Sequence, residues 1–189
     1  MKGLKFLPLT EKKWTDFENL FGKNGACGGC WCMWWRIKRN EFEMNKGAVN
    51  KKLMKKIVKK GIVPGLIFYL NKIPIGWISV APREDFPVLN NSRVLKQIDN
   101  KKVWSIVCFY IDKHYRRKGL SVEILKATIE YAKKKKVKIL EGYPVEPKKE
   151  KMPSVFAWTG FASAFLKAGF KEFERRSATR PIMRYAIQQ

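Results

Sequence analysis

The fold of this chain is decided by the stretch Val103-Trp104-Ser105-Ile106-Val107-Cys108-Phe109-Tyr110-Ile111, continued by Asp112-Lys113-His114-Tyr115 and Arg116-Arg117-Lys118-Gly119-Leu120-Ser121. Its first part is rich in β-branched and aromatic residues and predicts a strand over 103–111, whereas the apolar spacing of 122–135 predicts a helix. Another strand is predicted over 137–143. A turn between a strand and a helix presents unpaired backbone N–H groups at the positive end of the helix dipole. This order therefore indicates a phosphate site.

Several residues of the turn suit an anion. Gly119 permits close backbone approach and an unusual φ angle, and Ser121 is predicted to cap the helix. Arg116, Arg117 and Lys118 add positive charge. The alternative is a solvated basic turn that leads into an ordinary amphipathic helix.

The run from Arg116 to Ser121 resembles the Gln/Arg-x-x-Gly-x-Gly/Ala signature of the acetyl-CoA-dependent N-acetyltransferase (GNAT) superfamily. Arg116 and Gly119 match the signature, and Ser121 departs from it at the last small position. The resemblance implies that the turn holds the diphosphate of acetyl-CoA on its amides, including those of Lys118 and Leu120.

The resemblance covers most of residues 66–187. It includes Glu141-Gly142-Tyr143-Pro144-Val145, Phe165-Leu166-Lys167-Ala168-Gly169-Phe170 and Arg180-Pro181-Ile182-Met183-Arg184, which also resemble an uncharacterised bacterial subgroup of the superfamily. It implies an α/β (α+β) fold in which helices flank a central mixed, mostly antiparallel sheet.

Length and composition favour one domain. A chain of 189 residues with 46% hydrophobic residues can bury a core around one sheet. We predict a single acetyltransferase-like domain over 1–189, with a helical acceptor-side segment at about 10–61 and a cofactor-binding core at about 66–189. Charge interrupts the N-terminus too early for a signal peptide, and the apolar runs fall short of the ~18 residues of a membrane span. We therefore expect a cytoplasmic protein that does not bind membranes.

The formal net charge of +24 is compatible with a nucleic-acid partner. However, the lysines are scattered along the chain. Arginine, whose guanidinium usually binds nucleobases and phosphates through paired N–H groups, is the less common cation. The basic residues are therefore interpreted as a solvated surface, and no specific nucleic acid is expected.

The resemblance also implies where the pantetheine arm of the cofactor lies. Backbone groups of the strand before the turn, mapped here to Phe109, Tyr110 and Ile111, would bond the arm as an added strand would. The family's oxyanion donor is commonly a backbone N–H of the same strand.

Acetyl transfer to an amine needs a base, for which Glu141 is the first candidate. It is predicted in a strand next to the cofactor strand, where partial burial would raise its pKa. Glu146 and Asp112 are the runners-up. The alternative is a strand carboxylate paired with a lysine.

The acid that protonates the departing thiolate is not evident. Many family members have a tyrosine where this chain has Phe165, which cannot donate a proton. The substitutes are Tyr143, Tyr110, Cys108 or solvent.

A second unusual segment is Cys27-Gly28-Gly29-Cys30-Trp31-Cys32-Met33-Trp34-Trp35-Arg36. Its three cysteines could bind zinc with Cys108 or His114 as a fourth ligand, or could be buried small residues beside an aromatic plug. We favour no metal, and we expect a disulfide even less in a cytoplasmic protein.

The resemblance implies that this same segment forms a wall of the acceptor pocket. Cys32, Trp34 and Trp35 would line the pocket together with Trp31, and Arg36 would offer a fork for an acidic group.

The sequence therefore predicts an acetyl-CoA-dependent N-acetyltransferase that acts by direct attack of a small-molecule or peptide amine. A homodimer is compatible with this prediction. The first alternative is a non-catalytic module that binds coenzyme A. The second, which the sequence favours less, is a basic nucleic-acid-binding protein.

Overall fold

The computed structural model describes residues 3–147 and 156–188, which build one seven-stranded sheet. The strands are β1 (Lys5–Pro8), β2 (Gly65–Leu70), β3 (Ile73–Pro82), β4 (Trp104–Ile111), β5 (Ile139–Gly142), β6 (Lys171–Arg175) and β7 (Pro181–Ala186). Their spatial order is β1-β2-β3-β4-β5-β7-β6. Among these strands, neighbours are antiparallel except β4 and β5, which pair in parallel. The predicted mixed, mostly antiparallel sheet is confirmed.

Helices cover both faces of the sheet. They are α1 (Trp14–Phe21), α2 (Arg39–Met44), α3 (Ala48–Lys59), α4 (Leu120–Lys134) and α5 (Ala162–Lys167). The apolar residues of α4 and α5 pack with Ile78 and Ile106 on one face, while α1 and α3 pack with Trp77 on the other. Burying an apolar side of each helix against the sheet is what makes these amphipathic segments helical. In the described residues, no helix is both long and apolar enough to cross a bilayer.

Most predicted elements are found, with three differences. The sequence also predicts a helix around 47–60 and a hairpin of strands at 66–70 and 75–81, and α3 and the β2–β3 hairpin lie there. The helix α4 lies at the predicted 122–135. The pattern missed β1 and α2, which are too short to show a clear period. A short helix expected near Val94–Ile98 is wrong, because the chain forms short 3-10 turns earlier, at Arg83–Asp85 and Pro87–Asn91. The loop expected at 144–153 lies partly outside the described residues.

The strands β4 and β5 separate partway along their length. They pair only at Trp104–Leu140, Ser105–Glu141 and Ile106–Gly142. An irregularity in the β3–β4 register follows directly, between Ser79 and Val80. Beyond it, β4 continues to Ile111 without β5 beside it, which leaves an opening at the end of β4 that leads to α4. We call this region the β4–β5 opening.

Candidate functional site

The turn between β4 and α4 has an unusual backbone. After β4, the Asp112 carboxylate accepts a hydrogen bond from the His114 amide at 2.9 Å and closes a short 3-10 turn. Arg117 and Gly119 then adopt positive φ angles of 60° and 71°. Left-handed residues in such a turn aim successive N–H groups toward one side, which is the geometry of an anion-binding nest.

The amides of this turn are available. The N–H groups of residues 117–121 hydrogen-bond to nothing else in the described part of the chain, and the first helical bond nearby runs from the Val122 amide to the Gly119 carbonyl at 3.1 Å. A Cβ added to Gly119 would meet nothing within 4 Å, so the space above the glycine is open. The prediction that Ser121 caps the helix is wrong, because Gly119 is the N-cap and no side chain bonds there.

The cationic side chains of the turn divide into two groups. Arg116 Nε donates to the Ile111 carbonyl at 2.7 Å, and its guanidinium lies 5.9 Å from the Tyr110 ring. Arg116 therefore ties the start of the turn to the end of β4. Arg117 and Lys118 are exposed and contribute charge. Leu120 is buried, which fixes the first residue of α4 in the core.

The edge of β4 turns two residues toward the opening. The Asp112 amide donates to the Ile75 carbonyl. Hydrogen-bonded and non-hydrogen-bonded pairs alternate along an antiparallel ladder, so the next bonded pair, two residues earlier on β4, is Tyr110 with Trp77. The backbone groups of Tyr110 therefore face β3. Phe109 and Ile111 direct theirs away from β3, so only two of the three predicted residues present backbone groups to the β4–β5 opening.

A segment of the chain itself lies in this opening. The Phe109 amide donates to the Trp158 carbonyl at 2.6 Å, and the Val145 amide donates to the Gly160 carbonyl at 2.8 Å. Gly160, with a φ of 83°, fits closely: an added Cβ would lie 3.0 Å from the rings of Phe109 and Phe165. This contact was not predicted, because a backbone carbonyl in a loop has no sequence signal.

Phe165 itself is fully buried. Its ring packs edge-on against Phe109 at 5.9 Å and against Phe170 at 5.0 Å. The position where the resemblance implies a tyrosine is therefore part of the apolar core.

Glu141 lies at the centre of a buried polar network on the other face of the sheet. Its Oε1 accepts from Tyr143 Oη at 2.6 Å and from Arg83 Nη1 at 3.3 Å, and its Oε2 accepts from Arg184 Nε at 2.7 Å. Arg184 also holds Asp99 with two bonds of 2.7 and 3.0 Å. The Arg184 guanidinium lowers the pKa of Asp99 to about 2.

This network ties the connection between β3 and β4 to the sheet. Arg83 donates to Asn90 and to the Leu95 carbonyl, both within that connection. The Tyr143 hydroxyl also bonds Ser105 at 2.8 Å, and burial raises its pKa. Because donors occupy both oxygens of the 1% exposed Glu141, the geometry favours a structural role for Glu141 and Tyr143 over acid–base chemistry.

The other candidate bases are also engaged. Glu146 accepts from Arg175 Nη1 at 2.6 Å on the surface, and Asp112 closes its own turn. Neither side chain contacts Cys108 or the backbone of Phe109 among the bonds of the described residues.

Cys108 and Cys32 form a pair of thiols beside the β4–β5 opening. Cys32 Sγ accepts from Trp77 Nε1 at 3.3 Å. The neighbouring Cys108 thiol, with further help from Trp77 and Arg36, lowers the pKa of Cys32 to about 7. The same contact and burial raise the pKa of Cys108, which keeps this thiol neutral.

The other two cysteines, Cys27 and Cys30, do not belong to this pair. Burial raises the pKa of Cys30 to about 11, and Cys27 is exposed. Across residues 3–147 and 156–188, no group of three or more His, Cys, Asp or Glu side chains is placed to hold a metal ion.

The low pKa of Cys32 gives a measurable prediction. Thiolate absorbance should show a first rise with a midpoint near pH 7, and this first rise should be lost in Cys32→Ser. Since the folded-state pKa lies below the unfolded value of about 8.5, Cys32 adds stability above that value and loses it as the pH falls through about 7. Ultraviolet titration of the thiolate checks this, with Cys27→Ser as the exposed-thiol control. A first transition near the unfolded value in the unchanged protein would contradict it.

Two tryptophans of the predicted acceptor wall reach the opening. The rings of Trp34 and Trp35 lie 6.0 and 5.8 Å from the ring of Trp158. Trp35 Nε1 is buried without a hydrogen-bond partner in the described residues. Trp31, in contrast, stacks on Phe21 within the core and does not line this region.

Arg36 lies on the far side of this wall. Its guanidinium donates to the Pro64 carbonyl at 3.3 Å and to the Asp85 carbonyl at 3.5 Å, and it stacks over Phe86 at 4.4 Å. The structure thus places Trp34 and Trp35 beside β4, and it places Arg36, which was predicted to bind an acidic group of the acceptor, away from β4.

The strand β4 parts from its parallel neighbour β5 and leads, through a turn whose amides have no partner among the described residues, into α4. The chain belongs to the Acetyltransferase (GNAT) family, whose sequence model matches residues 31–151, more than half of the chain. Members of this family take the acetyl group from acetyl-CoA.

Solved structures agree with this fold. A GNAT-family acetyltransferase from Streptococcus agalactiae has a TM-score of 0.59 at 12% identity, covering 100% of this chain and 98% of that one. The PaiA N-acetyltransferase from Thermoplasma acidophilum, solved in complex with coenzyme A, has a TM-score of 0.53 at 16% identity, covering 97% and 98%. An N-acetyltransferase from Staphylococcus aureus has a TM-score of 0.56 at 11% identity, covering 98% and 99%. No curated protein sequence matches the chain.

Proposed function

We propose that this protein is an N-acetyltransferase that transfers the acetyl group of acetyl-CoA to the amine of a small molecule or peptide by direct attack. The observation that carries the proposal is the set of amides at residues 117–121, which have no partner in the described chain and face open space above Gly119. Buried or screened amides would leave no site for a diphosphate.

The turn would hold the diphosphate of the cofactor. The amides of Arg117, Lys118, Gly119, Leu120 and Ser121 would donate to its oxygens at the positive end of α4. The exposed side chains of Arg117 and Lys118 would add charge. Several amides that bond the diphosphate together would fix its position, and the charged side chains would attract the cofactor over a longer range.

The edge of β4 would receive the pantetheine arm. The Ile111 amide is turned to the β4–β5 opening, whereas the Phe109 amide is bonded to the Trp158 carbonyl. Binding of the arm along the whole edge therefore requires the Trp158 carbonyl to release the Phe109 amide. That release costs one backbone hydrogen bond, a net of about 1 kcal/mol, which the interactions of the cofactor can offset.

When bound, acetyl-CoA supplies a thioester carbonyl that an uncharged amine can attack. The Phe109 amide is then placed to stabilise negative charge on the carbonyl oxygen. The attacking amine becomes an ammonium, and its proton can pass to the departing sulfur or to solvent. The raised pKa of Cys108 makes its thiol too weak an acid to protonate a thiolate of ordinary pKa, about 8.5. Trp34, Trp35 and Trp158 would keep water from the reacting carbonyl.

Single-turnover reactions with a panel of amines test the proposal. We expect a product that carries one acetyl group, together with one equivalent of free coenzyme A thiol, for at least one class of primary amine. The measurements are mass spectrometry of the amine and thiol quantification. Coenzyme A release without an acetylated amine in any class would contradict acetyl transfer.

A second candidate is a non-catalytic module that binds coenzyme A. It is favoured by two observations: the buried Phe165 at the position of the expected tyrosine, and the engaged Phe109 amide. It predicts saturable binding of acetyl-CoA with no acetylated product and no thiol release, so the same experiment separates the two functions.

A further inference from the structure

A surface cavity lies between α3 and the segment that precedes α2. Its volume is about 350 Å³, within the range of small-molecule sites. Most of its wall is apolar: Met33, Ile37, Leu53, Ile57 and Ile62. Among the described residues, those that line the cavity belong neither to β4, nor to the turn at 116–121, nor to the chain around Trp158, so the cavity is separate from the β4–β5 opening.

A buried cation forms part of this wall. Arg36 lines the cavity, and its side chain is only 4% exposed. Its Nε is buried and finds no acceptor in the described residues, and its two other hydrogen bonds are long, at 3.3 and 3.5 Å. A buried guanidinium with an unused donor is costly unless an anion can reach it.

The protein balances only part of the positive charge at the cavity. Lys56 and Lys60 also line it, and no carboxylate of the described residues lies within ion-pair distance of either. Of the described residues that line the cavity, Asp85 is the only acid, and its Oδ2 lies 3.8 Å from Arg36 Nη1 with the side chain 31% exposed. Three cations therefore face one loosely bound carboxylate, and the Cys32 thiol adds negative charge beside Arg36 when it is ionised.

We propose that this cavity binds a small carboxylate with an apolar body, with the carboxylate on Arg36, flanked by Lys56 and Lys60, and the body against Leu53 and Ile57. A carboxylate matches the planar guanidinium, offers an acceptor to the unpartnered Nε of Arg36, and adds one negative charge beside the two lysines. It would replace the long contact of Asp85, whose side chain can turn to water. A phosphate dianion fits less well, since most of the wall offers it no donor.

The cavity shares one wall with the β4–β5 opening. Trp34 and Trp35 contact Trp158 on one side of the segment, and Met33 and Arg36 face the cavity on the other. The inference goes beyond the proposed function and does not rest on it, because its test reads binding at the cavity and not acetyl transfer.

Methyl NMR of methionine tests the site directly. The probe is 3-phenylpropanoate, and the matched neutral probe is 3-phenylpropanamide. We expect the carboxylate to shift the methyl signal of Met33, which lines the cavity, and to leave Met183, buried in the core on the other sheet face, unchanged. The amide should bind at least about tenfold more weakly, since it lacks the charge-assisted bonds.

Paired lysine variants separate local recognition from net charge. The double variant Lys56→Gln with Lys60→Gln should bind the carboxylate probe several-fold more weakly. The double variant Lys52→Gln with Lys59→Gln changes two lysines of α3 that lie outside the cavity, and it should bind the probe as the unchanged protein does. All four lysines are exposed, so both variants should fold. The proposal is overturned by a Met33 signal that does not move, by equal shifts at Met183, by equal affinity for the amide, or by equal losses in the two variants.

Discussion

Gly119→Val should weaken the binding of coenzyme A by about 100-fold or more. The residue has a φ of 71°, which a β-branched side chain adopts only with strain, and its added atoms would project into the open space above the turn. Both effects remove charge-assisted bonds between the amides and the diphosphate. Two such bonds, at about 1.5 kcal/mol or more each, correspond to this loss. Isothermal titration calorimetry with coenzyme A measures it.

Gly61→Val is the matched control for this variant. Gly61 also has a positive φ, 76°, and an added Cβ there meets nothing within 4 Å, but it follows α3 and lies far from the turn in sequence. We expect a similar loss of stability in the two variants and loss of coenzyme A affinity in Gly119→Val alone. Equal affinities in both variants would contradict the assignment of the turn.

Glu141→Ala should lower the free energy of unfolding by about 3–5 kcal/mol. The substitution leaves Arg83 and Arg184 buried without the carboxylate that accepts from both of them. Removing one partner of a buried ion pair has this magnitude because the remaining charge stays desolvated. Urea denaturation followed by tryptophan fluorescence measures the loss.

The control for Glu141 is Glu172→Ala, which removes an exposed carboxylate from a surface pair with Arg175 and should change stability little. Glu141→Gln keeps the shape of the side chain and removes its charge. Because Glu141 supports the network through its charge, we expect Glu141→Gln to lower the free energy of unfolding as well. A fully stable Glu141→Gln protein whose turnover alone was lost would instead support a general base.

The backbone of the turn between β4 and α4 could be predicted because its determinants are local. A strand, a glycine and a helix start lie within a short stretch of chain, and the backbone geometry at Gly119 follows from that order. The same holds for the β2–β3 hairpin, whose turn residues lie between two apolar runs.

The Glu141 network could not be predicted, because its partners are distant in sequence. Arg184 lies 43 residues from Glu141 and 85 from Asp99, and nothing in the pattern joins them before the sheet forms. Glu141 alone resembles a catalytic carboxylate. Its two arginine partners are what favour a structural role.

The contacts around Cys108 and Phe109 were missed for a related reason. The thiol of Cys32 reaches Cys108 only when the cysteine-rich segment folds onto β3 and β4. The Trp158 carbonyl reaches Phe109 from a loop without a periodic pattern. The sequence suggested Cys108 as a substitute acid or as a fourth zinc ligand for the cysteine-rich segment, and Cys32 as part of the acceptor wall, but it did not predict a contact between these two thiols alone.

Amide chemical shifts measured with coenzyme A and with pantetheine, which lacks the diphosphate, test the central claim most directly. We predict that coenzyme A shifts the amides of residues 117–121 together with those of Phe109 and Ile111. Pantetheine should shift only Phe109 and Ile111. Bound coenzyme A that left the amides of 117–121 unmoved would contradict the account.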